Sequence, residues 1–168
     1  KKWDDIGVFV KYGMITDEKF EDKAKKFVLL KNTEDKFFTL DEYLEKIKKN
    51  QVDKHDRTVA LYTPSPEGHT SYIKQATDMG YDVLHLNHII DNHFIQQLEQ
   101  KGENLTFVRV DSDTPDQLIQ KEEKTESVLS EKEQEKVKKL FAELPGVAEH
   151  QLMIRPMASS SHPVMITR

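Results

Sequence analysis

The sequence contains no cysteine, which excludes disulfides, thiolate metal sites and cysteine nucleophiles. It has no apolar run approaching the roughly 20 residues that a membrane-spanning helix needs, and nothing resembles a signal peptide. It also lacks an excess of positive charge, with 25 basic residues against 30 acidic ones and a formal net charge of -5. Nucleic-acid binding relies on a basic face to neutralise phosphate, so that class of partner is not expected, and neither is a membrane. These features together fit a cytoplasmic chain. At 168 residues the chain suits one ordinary domain or two small ones, with a modest core. It opens at Lys1 rather than methionine and stops just after Val164-Met165-Ile166, which reads as an excised fragment.

The first fifty residues carry helical periodicity. Trp3, Ile6, Phe9 and Val10 recur at helical spacing, with Gly13 as the expected stop. A second helix is expected from Asp17, with Phe20, Ala24, Phe27 and Val28 on one face. Thr39-Leu40-Asp41-Glu42 reads as a capping box, in which threonine and glutamate satisfy the free amides of a helix start. Tyr43, Leu44 and Ile47 give the third helix its apolar face. Short amphipathic helices of this kind need a packing partner to be stable.

The pattern changes after Asn50. Thr58-Val59-Ala60-Leu61-Tyr62, Asp82-Val83-Leu84-His85-Leu86 and Leu105-Thr106-Phe107-Val108 with Val110 are strand candidates. Between them Tyr72, Ile73, Ala76 and Met79 mark one helix, closed by Gly80, and Ile90, Phe94 and Leu98 mark another. Strand, helix, strand, helix, strand is the order of a small three-layer α/β/α unit with a short parallel sheet. From Asp111 to Ser130 mixed lysine and glutamate with few apolar residues read as a linker. Ser130 and Glu133 form a second capping box ahead of a stripe of Val137, Leu140, Phe141 and Leu144, ended by Pro145-Gly146. Gln151-Leu152-Met153-Ile154 and Val164-Met165-Ile166 are strand-like, with Ser159-Ser160-Ser161 between them as a turn. The fold class is therefore α/β, α+β overall. A helical connector covers 1–55, the α/β unit 56–112, a linker 113–126 and an incomplete α+β domain 127–168.

Chemistry has few footholds. His85, His88 and His93 fall within nine residues, and imidazoles can hold zinc. However, His85 belongs to a strand and His93 to the following helix, so solvated or capping histidines are the simpler reading. His69, beside Gly68, is less specific still. A phosphate site after the first strand needs free backbone amides, whereas Thr63-Pro64-Ser65-Pro66-Glu67 offers two prolines and a carboxylate. Asp82, Asp91, Asp111 and Asp113 sit near strand ends, where α/β folds bind ligands, but aspartates there also complement helix starts. No catalytic, cofactor-binding or metal-binding residue is assigned. Trp3, Phe9, Leu140 and Phe141 are candidates for contact with a client or another domain, set against their being ordinary core. The alternative is a free-standing α/β metal-binding or enzymatic domain using His85, His88 and His93.

Several segments, in order, resemble the ninety-kilodalton heat-shock chaperone family, called HtpG in bacteria. Phe9-Val10-Lys11-Tyr12-Gly13 resembles its Phe-x-Lys-x-Gly helix end, and Thr39-Leu40-Asp41-Glu42-Tyr43-Leu44 its Thr-Ser-Leu-x-Glu-Tyr signal. Gly80-Tyr81-Asp82-Val83-Leu84 resembles its Gly-x-Glu-Val-Leu strand, with Asp91 and Gln97-Leu98 in register. Arg155-Pro156-Met157-Ala158 and Pro163-Val164-Met165-Ile166 resemble the first strands of its C-terminal domain. The chain departs from the family at His88-Ile89, where Asp-Pro is usual, at Asn92 for glutamate, and at Pro64-Ser65 for Gly-x-Ser. The resemblance implies the later part of a middle domain and the start of a C-terminal dimerisation domain. It also implies a parent that is an ATP-dependent, homodimeric chaperone with ATP and magnesium bound elsewhere. The partners implied are unfolded or client proteins and other domains of the same chain.

Overall fold

The computed structural model describes residues 2–119, 127, 129–148, 151–155, 164, 166 and 167. Two compact units emerge, one of residues 1–121 with 162–168, the other of 122–161.

In the first unit, α1 (Lys2–Thr16) turns Gly7, Lys11 and Met14 inward, a spacing of four and three that makes a single helical stripe. The helix does not stop at Gly13. An added Cβ there would lie 2.8 Å from the Phe20 ring, so this glycine serves the close approach of α2 (Glu18–Ala24). Asp17 caps α2, its carboxylate accepting from the Phe20 amide at 3.0 Å. The expected apolar face through Phe27 and Val28 is not helical. Both amides bond back to the Ala24 carbonyl in a tight turn, after which Val28 is fully buried and Phe27 is 74% exposed.

The chain then forms a hairpin that the sequence did not announce. β1 (Leu29–Lys31) pairs antiparallel with β2 (Phe37–Thr39), and the turn places Asp35 at φ +60°. The Asn32 side chain shapes that turn by accepting from the amides of Glu34 and Lys36. So the first 55 residues are not purely helical. The Thr39 and Glu42 capping box does form, and it opens α3 (Leu40–Ile47). The Thr39 backbone amide, then its hydroxyl, holds the Glu42 carboxyl below its ordinary range.

The α/β unit matches its expected order. β3 (Thr58–Thr63), α4 (Thr70–Asp78), β4 (Val83–His85), α5 (Ile90–Lys101) and β5 (Leu105–Arg109) build a parallel sheet in the order β4-β3-β5. Val59, Ala60 and Leu61 are all buried although they alternate between faces, because the central strand is covered on both sides. One face packs Met14, Val28, Tyr43 and Ile47 with Ala60, Leu84, Phe94 and Leu98. The other packs Val59, Leu61 and Val83 with Ala76, Tyr81, Val110, Leu118 and Ile119. The first of these cores includes side chains from α1, α3 and the hairpin, so the helical stretch and the α/β unit share it. Gly80 sits at φ +77° behind α4, as a C-terminal cap requires.

The stretch expected as a linker from residue 113 is described as far as Ile119. α6 (Pro115–Leu118) follows β5, and Leu118 and Ile119 are 5% and 1% exposed in the second core. Two apolar side chains pin a stretch whose composition looked solvated; residues 120–126 lie outside the described residues.

In the second unit, the capping box of Ser130 and Glu133 opens α7 (Glu131–Ala142), and Gly146 adopts φ +84° beyond it. No residue of α7 is buried. Leu152, Met153 and Ile154 belong to no strand; in the first unit, neither do the described Val164 and Ile166. A strand leaves its amides and carbonyls unpaired without a ladder neighbour, and neither run has one among the described residues. Residues 156–163 and Met165, with the serine turn, lie outside them.

Candidate functional site

Three features of the first unit could carry function. The first is the outer side of α1. Ile6, Phe9 and Tyr12, three residues apart, are 49%, 74% and 59% exposed. They lie away from the buried stripe of Gly7, Lys11 and Met14, and form an apolar ridge facing solvent. Single exposed apolar residues are ordinary, whereas a contiguous patch marks a contact surface. Trp3 is not part of it. Its indole lies on Gly7, 3.0 Å from where a Cβ would stand, and it is half-buried against the core. In the second unit Leu140 and Leu144 are 66% and 50% exposed, and Phe141 is half-buried.

The second feature is a pocket of about 160 Å³ lined by residues of α1, β1 and the segment after β4, among them Trp3, Lys11, Lys31, His85, Asn87 and His88. One of the lining residues, Lys11, is held in a buried ion pair. Lys11 Nζ lies 2.5 Å from Asp91 Oδ1, with side chains 8% and 3% exposed. The second Asp91 oxygen accepts the His88 amide at 2.9 Å, so this first-turn carboxylate also ties α5 to the segment before it. On the wall, burial first and the Lys31 charge second push the His85 imidazole below its ordinary value. Lys31 is itself raised, chiefly by its bond to Asp35.

The third lies at the C-terminal end of β3. The Thr63 hydroxyl accepts the Ser65 amide at 3.2 Å and meets His69 Nδ1 at 2.6 Å. His69 Nε2 faces Asp111 Oδ2 at 3.3 Å, and Arg109 grips both Asp111 oxygens at 2.9 and 2.8 Å. Burial alone would raise the Asp111 carboxyl, but the Arg109 bonds outweigh it and leave it lowered. Hydroxyl, imidazole and carboxylate in series form the skeleton of a nucleophilic triad. Thr63 is fully buried, however, so no substrate reaches its oxygen, and the series instead fastens the β3 to α4 loop to the end of β5. Little in the sequence singles out His69, because Thr63 ends β3 and Asp111 lies in the turn after β5, and no local spacing links all three.

The remaining candidates scatter. His85 sits on β4, His88 in the turn before α5, and His93 is exposed on α5. Among the described residues no three His, Asp or Glu side chains gather as a metal site. Asp82 is engaged by Asn32 and Lys46, Asp91 by Lys11, Asp111 by Arg109, and Asp113 accepts from the Thr114 amide. The loop after β3 does not suit phosphate either. Its Ser65, Gly68 and His69 amides are taken by Thr63 Oγ1, Ser65 Oγ and the Ser65 carbonyl, and Pro64 and Pro66 have none to give. The loop is therefore a poor match for phosphate. No helix of the described residues is long and apolar enough to cross a membrane.

Comparison with known proteins identifies the family. The family described as Hsp90 protein matches residues 1–155. The chaperone protein HtpG of Bacteroides thetaiotaomicron is 40% identical over 171 aligned residues, covering 100% of this chain and 25% of that protein. HtpG of Porphyromonas gingivalis is 45% identical over 146 residues, 86% of this chain and 21% of that protein. The chain thus spans about a quarter of the length of the curated relatives it matches. Among solved structures, the middle domain of a heat shock protein from Plasmodium falciparum aligns with a TM-score of 0.46 at 18% identity, covering 62% of this chain and 44% of that one.

Proposed function

The chain belongs to the Hsp90 protein family, and from that premise we propose that it is a segment of an ATP-dependent molecular chaperone that binds unfolded or client proteins. The observation that carries the client-binding part is the ridge of Ile6, Phe9 and Tyr12, apolar side chains held in water by a helix whose other side is locked into the core. Unfolded segments expose apolar groups, and burying a side chain of this size is worth about 1.5–3 kcal/mol. Phe9 is the centre of the contact, and Leu140 with Phe141 offers a second surface on α7, for a client or another domain of the same chain.

The nucleotide and magnesium belong elsewhere in the parent, a reading supported by the loop after β3, where two prolines lack amides and those of Ser65, Gly68 and His69 are engaged. On this reading the segment performs no catalysis of its own. It covers the later middle domain, through about residue 112, and the start of a C-terminal domain from about residue 127, in a cytoplasmic homodimer.

The reading is tested in the full-length parent by following suppression of aggregation of a thermally unfolded model protein. Phe9→Ser should weaken suppression several-fold while ATP turnover without client stays intact. Unchanged suppression would remove the α1 ridge from the client surface.

A further inference from the structure

The outer edge of the sheet is built in an unusual way. The Thr58 amide bonds to the Asn104 carbonyl and the Val110 amide to the Tyr62 carbonyl, so even-numbered residues of β5 pair with β3. Parallel ladders alternate, which turns the amides and carbonyls of Leu105, Phe107 and Arg109 outward. All five β5 residues are half-buried, whereas β3 is mostly buried, as expected of an edge strand beside a central one. One outward amide is occupied by a side chain. Glu99, from α5, accepts the Phe107 amide at 2.6 Å and the Thr106 hydroxyl at 3.1 Å, both through Oε1. The Arg109 carbonyl is closed off by the Ser112 amide and hydroxyl.

A carboxylate on an edge amide is a removable plug. It blocks pairing with an arbitrary strand, because displacing it strands a charge. A cation on the incoming strand changes that balance, since Glu99 can turn from the amide to an ion pair while the partner's carbonyl takes the Phe107 N–H. Glu103, at the start of the same edge, adds charge of the same sign.

We propose that the outer edge of β5 is a docking site for an extended segment of another polypeptide, with a lysine or arginine opposite Glu99 and apolar residues alternating with it. The segment adds as a further strand, through main-chain bonds to Leu105, Phe107 and the Arg109 amide. The proposal rests on the chaperone reading in one respect, that an unfolded client supplies such segments; the edge and its plug stand independently of it.

The test is amide-resolved NMR of the chain titrated with three five-residue capped peptides: alternating valine and lysine, alternating valine and glutamate, and the lysine peptide with proline at its centre. The expected result is saturable shifts at Leu105, Phe107 and Arg109 with the lysine peptide, roughly two- to fivefold tighter than with the glutamate peptide, and none with the proline peptide. Glu99→Gln, which keeps the shape and the amide cap, should abolish the preference for lysine over glutamate. Equal binding of both charged peptides to the unaltered chain, or lysine-peptide shifts confined to other residues, would overturn the proposal. So would self-association through β5, which would make a second copy the occupant. Failure of these titrations while the parent still needs Phe9 for client binding would sink this inference and leave the chaperone reading intact.

Discussion

Lys11 and Asp91 meet eighty residues apart in the chain, with Nζ 2.5 Å from Oδ1 and both side chains almost wholly withdrawn from water. Lys11 is on the inward stripe of α1 and Asp91 in the first turn of α5, so this contact ties the first helix to the α/β unit. Gln97 and Lys101 of α5 add polar ties, Gln97 to the Met14 carbonyl and both to Glu21 of α2. The outer ridge of α1 is therefore presented by a helix fixed at its back, which suits a surface that must catch mobile partners.

Removing one member of a buried pair leaves the other charge without compensation, which costs about 3–5 kcal/mol. Lys11→Met should accordingly lower the unfolding free energy by about 3 kcal/mol in denaturant titration. Lys11→Met with Asp91→Asn should lower it by clearly less, because no bare charge remains. Equal losses in the single and double variants would show that packing of the methylenes, rather than the charge pair, holds α1 in place.

Gly80 occupies φ +77°, and the Asn50 side-chain amide bonds to the Met79 and Gly80 carbonyls beside it. A side chain there takes on the left-handed penalty and crowds Asn50, whose Nδ2 lies 3.0 Å from an added Cβ. Gly80→Ala is expected to cost about 1–2 kcal/mol. Thermal unfolding reads it, and an unchanged melting temperature would mean the turn relaxes to negative φ.

The stability of the chain should also carry a histidine signature. The His85 imidazole titrates below its unfolded value of 6.5, because burial and Lys31 oppose its charge. Above 6.5 both folded and unfolded forms are neutral there. As pH falls through 6.5 the unfolded chain takes up a proton that the folded chain refuses, so stability declines until the folded value is passed. His85→Gln should flatten that part of the pH profile measured by denaturant unfolding. An identical slope in both proteins would assign the effect to other groups.

What could be read from the sequence was local. Both capping boxes, the Gly80 cap and the three parallel strands are written in short spacings or continuous apolar runs, and all are present. β1 and β2 were missed because three-residue strands have no period to detect, and Val28 looked helical because the turn at Ala24 keeps it near the α2 stripe. α6 was hidden by a polar neighbourhood in which only Leu118 and Ile119 are anchored. Among the site residues Phe9 was legible as apolar but not as exposed. Asp91 was read as a helix start, which it is, while its partner Lys11 and the series of Thr63, His69 and Asp111 depend on contacts between distant segments that no local pattern encodes.

The most direct test of the central claim is a pair of amide-resolved NMR titrations on one sample of the chain, first with ATP and magnesium, then with a permanently unfolded protein. The account expects no saturable shift with ATP and a saturable set centred on Ile6, Phe9 and Tyr12 with the unfolded protein. Saturable ATP shifts in the loop after β3, with α1 silent toward the unfolded protein, would contradict it.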